Sequence, residues 1–131
     1  MRLARVLDGF RLTFKHYNLA NVLSSQNKMN EAVLHYKETL RINPKYSKAH
    51  YNLGNILINE GKTKEAFTHF AEVIKFKPDY APAYNKIGLI LFRQGKFNKA
   101  KVLFSKALEI DPKYSEALIN LDIVQNTTLS R

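Results

Sequence analysis

Four histidines are the residues of this chain best suited to chemistry, and their spacing decides what they can do. His16 and His50 stand 34 residues apart, and so do His35 and His69, so each pair is separated by one full period of whatever repeats at that distance. Glu31 precedes His35 by four residues and Glu65 precedes His69 by four, the spacing of neighbours on one helix face, which reads as a surface pair. No H-E-x-x-H run, phosphate-cradling glycine loop or nucleophile elbow occurs, and the absence of cysteine removes thiolate metal sites and thiol catalysis. The expectation is a chain with no catalytic residues, no metal and no cofactor.

The remaining chemistry is that of charge. With 21 Lys and Arg against 11 Asp and Glu the chain carries a formal charge of +10, which steers encounters toward acidic partners. Lys62, Lys64, Lys75, Lys77, Lys96, Lys99, Lys101 and Lys106 would allow sequence-independent, salt-sensitive contact with phosphates. Nucleic-acid readers interleave aromatics with such lysines, whereas the aromatics here fall at core offsets, so nucleic acid is an unfavoured partner. The longest apolar run, Ile87 to Phe92, is far short of the ~20 residues that span a bilayer, so no membrane insertion is expected. Composition is that of a soluble globular protein, with a cytoplasmic setting favoured. The N-terminal MRLARVLDGFRL has the arginines of a basic targeting segment but neither its long apolar region nor its cleavage site, and its apolar spacing runs on into the next helix.

What must position these side chains is a repeat of 34 residues: Thr13 to Tyr46, Ser47 to Tyr80 and Ala81 to Tyr114. Each unit reads as two helices. In the second, Tyr51, Leu53, Ile56 and Leu57 form one apolar stripe, Glu60-Gly61-Lys62 interrupts it, and Ala66, Phe67, Phe70, Val73 and Ile74 form another. Asn27, Gly61 and Gly95 suit the left-handed residue that closes a helix, and Pro44, Pro78 and Pro112 stop the second helix of each unit. Ala20, Gly54 and Gly88 sit where a side chain would hold two helices apart, with Ala32, Ala66 and Ala100 as the expected small partners. Domain organisation follows: a helical extension over 1–12, repeats over 13–46, 47–80 and 81–114, and a terminal helix with a tail over 115–131, one domain in all.

The chain resembles the tetratricopeptide repeat family. Its signature positions fall on His16, Leu19, Ala20, Leu23, Ala32, Tyr36, Thr39 and Pro44 in the first unit. In the second they are His50, Leu53, Gly54, Leu57, Ala66, Phe70, Val73 and Pro78, and in the third Tyr84, Ile87, Gly88, Leu91, Ala100, Phe104, Ala107 and Pro112. The resemblance implies an all-α, right-handed superhelical solenoid of antiparallel helix hairpins whose first helices line a concave groove. It implies a non-catalytic scaffold or adaptor that binds another protein through an extended or short helical segment, acidic or mixed in side chains.

The family's contact positions place Tyr17, Asn18, Asn21, Lys48, Tyr51, Asn52, Asn55, Asn85, Lys86 and Arg93 in that groove. A carboxamide offers an acceptor and two donors, so a row of asparagines can hold peptide backbone whatever the side chains. The family's clamp for a terminal carboxylate is poorly met: Asn21 and Asn52 fit, but Tyr17 and Pro82 replace lysines and Lys86 replaces arginine. At the far end, Leu121 and Val124 are expected to lack the partner that a further helix would supply, which makes self-association through open ends a possibility alongside peptide binding. Electrostatic contact with nucleic acid or anionic surfaces through the lysines is the alternative reading.

Overall fold

The structure, a computed structural model, describes residues 2–129. These form seven helices, α1 (Arg2–Ser25), α2 (Met29–Ile42), α3 (Ser47–Asn59), α4 (Thr63–Phe76), α5 (Ala81–Arg93), α6 (Phe97–Ile110) and α7 (Ser115–Leu129), with no strand among the described residues. The expectation of an all-α array of helix hairpins holds.

The turns inside the hairpins follow from three residues able to adopt a positive φ: Asn27 at 62°, Gly61 at 80° and Gly95 at 77°. Each lets the next amide reach back around the helix end, Lys28 N–H to Leu23 at 2.8 Å, Lys62 to Leu57 at 2.9 Å and Lys96 to Leu91 at 2.9 Å, which satisfies carbonyls that the helix itself leaves unpaired. The second helices end just before each proline, with the last bonds running from Asn43 to Thr39, Lys77 to Val73 and Asp111 to Ala107. The loops that follow are tied down by the first large residue of the next helix. His50 Nε2 lies 2.7 Å from the Pro44 carbonyl, and Tyr84 donates its hydroxyl to the Pro78 carbonyl at 2.7 Å, so two chemically different side chains at one repeat position make the same tie.

The chain divides into two compact units, residues 1–69 and 70–131. In the first, α2 packs between α1 and α3, burying Ala20, Ala32, Tyr36, Thr39, Ala49, Leu53 and Leu57. In the second, α5 packs on α6 and α6 on α7, around Ala81, Ala107 and Ala117 with Tyr84, Leu108, Ile110 and Tyr114 against them. Gly88 is buried as expected, but a Cβ there would meet the Phe104 ring at 2.6 Å, so the ring and not Ala100 is what demands a glycine. The end of the chain departs from expectation too. Val124 is fully buried, because α7 lays it inward beside Ala117; Leu121 is half-buried, and the exposed apolar residues of α7 are Leu118, Ile119, Ile123 and Leu129. Val124 therefore does not lack a partner.

Candidate functional site

Tyr17 and Asn21 lie one turn apart on α1, and α3 brings Asn52 against both. The Asn52 Nδ2 donates to Tyr17 Oη at 3.2 Å and to Asn21 Oδ1 at 3.1 Å, and the same Asn21 oxygen accepts a hydrogen bond from the Tyr36 hydroxyl on α2. Three helices thus meet in one polar knot. Burial, opposed in part by the Asn52 contact, raises the pKa of Tyr36 above the usual phenol range, so its hydroxyl remains a neutral donor. Tyr17 packs edge-on against Tyr46 with ring centroids 5.0 Å apart, and burial raises Tyr46 as well.

The second unit repeats this construction with other residues. Asn120 on α7 donates to Asn85 Oδ1 on α5 at 2.9 Å, and Asn85 donates to Glu116 Oε2 at 3.3 Å. Asn120 and Asn52 hold one repeat position, and so do Asn85 and Tyr17. Asn85 is 1% exposed, with its amide engaged on both sides, which removes it from the expected groove: it is a rung between successive first helices. Asn52 spends its amide hydrogens in the same way. The asparagine pattern read from the sequence is, at these positions, the hydrogen bonding between repeats.

Beside the knot in the first unit opens a pocket of about 360 Å³, lined by Asn21, Tyr36, Asn52, Asn55, Ile56 and Asn59 among others, with no charged side chain. Asn55 differs from its fellow asparagines. Its Oδ1 is buried and has no hydrogen-bond partner, a condition that costs about 1–3 kcal/mol when nothing compensates it. Of the other expected groove residues, Tyr51 is half-buried while Asn18 and Lys48 are exposed, all in the first unit; Lys86, half-buried, and Arg93, exposed, lie in the second. Tyr36 and Asn59 were missed. Tyr36 occupies the aromatic core position of its repeat, and its hydroxyl was the one signal that the ring also reaches a polar neighbour.

The histidines pair across each hairpin. His16 and His35 face each other with Nδ1 atoms 3.0 Å apart and rings stacked at 5.2 Å; His50 and His69 have the same 3.0 Å and 5.2 Å separations with the rings tilted by 39°. His50 Nε2–H donates to the Pro44 carbonyl, which turns its Nδ1 toward His69. Glu65 pairs with Lys37 at 3.8 Å, and Glu38 takes a two-pronged bond from Arg41, which lowers its pKa. No group of three metal-ligating side chains occurs among the described residues.

A family model for the TPR repeat matches residues 20–59 and 54–95, and one for the tetratricopeptide repeat matches residues 81–114. The chain belongs to the tetratricopeptide repeat family. Solved TPR structures are similar across almost its whole length. The first TPR of Spaghetti (RPAP3), bound to an HSP90 peptide, aligns with a TM-score of 0.85 at 20% identity over 91% of this chain and 94% of that one. The Arabidopsis OM64 TPR domain gives 0.84 at 15% identity over 90% and 98%, and the second TPR domain of human RPAP3, in complex with an HSP70 peptide, 0.81 at 19% over 89% and 98%. At these identities the likeness establishes the TPR fold. No curated protein matches the chain.

Proposed function

We propose that this TPR chain is a protein-interaction module that holds an extended peptide segment of a partner at the pocket between α1, α2 and α3. The observation that carries the reading is Asn55: a buried carboxamide oxygen without a partner, in the lining of an otherwise neutral polar pocket, is a site whose hydrogen bonding a ligand completes. Rotation of the Asn55 amide presents that oxygen to a peptide N–H, and its Nδ2 then meets the neighbouring carbonyl. In this reading the half-buried Tyr17 and Tyr51 serve as apolar contacts for the segment as it leaves the pocket, and the exposed Asn18 and Lys48 as polar ones.

Two of the similar TPR domains are bound to peptides ending in EEVD. That ending suits this chain less well, because Tyr17 and Pro82 stand where the family's clamp has lysines and no cation lines the pocket. The segment recognised here is accordingly internal or neutral at the contact point, with acidic residues flanking it where the basic surface attracts them.

The test is selection of binders from a random peptide display library, followed by affinity measurement on wild type and Asn55→Leu. Leucine removes the orphaned oxygen at similar volume, so the variant should melt at the wild-type temperature or above while peptide affinity falls at least tenfold, about 1.4 kcal/mol. Equal affinity in a folded Asn55→Leu variant would reject the pocket as the site.

A further inference from the structure

We propose that the first turns of α1 form an interfacial helix that lies on an anionic phospholipid surface, a function separate from the peptide pocket and built from other residues. α1 has 24 residues against the 14 of its hairpin partner α2, so about 15 Å of helix projects beyond α2. Only Thr13 and Ala20 of α1 are buried, and the projecting turns and the turn that follows them carry large apolar side chains in the open: Leu3 is 70% exposed, Phe10 61% and Phe14 59%, with Val6 and Leu7 both at 52%. At about 100° per residue these five fall in one stripe about 100° wide.

The charges say what covers the stripe. Arg2 borders it on one side and Arg11 on the other, with Lys15 and Arg5 farther round the helix, all exposed, while the single acid of these turns, Asp8, lies on the opposite face within 3.9 Å of Arg11. Cations along both edges of a Leu/Phe face place their heads at a phosphate plane while the apolar side chains enter the acyl boundary. A second copy would set arginine against arginine at both edges, which disfavours a helix-paired dimer. The net charge of +10 adds long-range attraction to the same surface, and no described helix is long and apolar enough to cross it.

The whole chain is sedimented with vesicles of phosphatidylcholine alone and with one third phosphatidylserine. Partition at least tenfold stronger on the anionic vesicles is expected, lost in Leu7→Glu/Phe10→Glu and in Arg2→Glu/Arg11→Glu, and retained in Asn55→Leu. All four substituted positions of the double variants are exposed, and circular dichroism verifies their helicity. Emission of a Phe10→Trp variant should shift to the blue with the anionic vesicles. Absence of partition, equal partition on both compositions, or full binding by either double variant overturns the proposal. So does a lipid-independent dimer that Leu7→Glu/Phe10→Glu dissolves without any vesicle binding, which would assign the stripe to a second copy.

Discussion

Replacing Gly88 by alanine adds one methyl group to a space already filled. Its Cβ would stand 2.6 Å and 2.7 Å from two atoms of the Phe104 ring, which is 1% exposed and has nowhere to swing. Overpacking of this kind costs about 1–3 kcal/mol, against which alanine gains roughly 1 kcal/mol of helix propensity. A net loss of about 0–2 kcal/mol in urea unfolding is expected, and Phe104→Leu in the same chain should recover part of it; a higher midpoint for Gly88→Ala alone would contradict the packing. The glycine was legible in the sequence because it interrupts an apolar helical pattern, but its partner was not. Periodicity assigns a side chain to a face without fixing its rotamer, so spacing pointed to Ala100 as the partner and did not show that the Phe104 ring fills the space. Asn85 and Asn55 teach the same lesson about the site. Both stand on first helices among family contact positions, yet one amide is consumed by Asn120 and Glu116 and the other keeps an oxygen unpaired, a difference set by what lies opposite on another helix. The contacts between histidines escape the sequence for a related reason: the repeat spaces like residues by 34, whereas each contact runs between residues 19 apart across a hairpin.

At the scale of elements the sequence was far more informative. Helix closures at Asn27, Gly61 and Gly95, and stops before Pro44, Pro78 and Pro112, are backbone requirements that few residue types satisfy, so they survive in the sequence as a period. The last helix was the exception. α7 repeats the apolar positions of a first helix, and with no following second helix its inward residues looked uncovered; in the structure Val124 and Ala117 are fully buried and Asn120 completes the rung to Asn85. The helix is thus a cover for α5 and α6. Ending the chain after Tyr114 removes a buried valine worth about 1.5–3 kcal/mol and opens the Ala81 and Ala107 cluster to water. The truncated chain should unfold at a lower urea concentration, with amide exchange accelerated in α5 and α6 by at least an order of magnitude. Exchange rates there equal to those of the full chain would show that α7 covers nothing of consequence.

For the molecule as a whole, charge and site are separated, and that separation has a kinetic signature. The chain carries +10, yet the pocket lining between α1, α2 and α3 has no charged side chain. Long-range attraction acts on the encounter and is screened over about 8–10 Å at physiological salt, whereas contacts inside a neutral pocket are short-ranged and insensitive to ions. Salt should therefore slow association with an acidic-flanked peptide while leaving dissociation nearly unchanged. Between 50 and 300 mM salt an association rate falling roughly tenfold, with a dissociation rate constant within about twofold, is the expected pattern in stopped flow. The same peptide with neutral flanks should associate more slowly and show little salt dependence, converging on the acidic one as salt rises. A dissociation rate that climbs steeply with salt would mean that cations hold the bound peptide directly, placing the recognition among the exposed lysines instead of at Asn55.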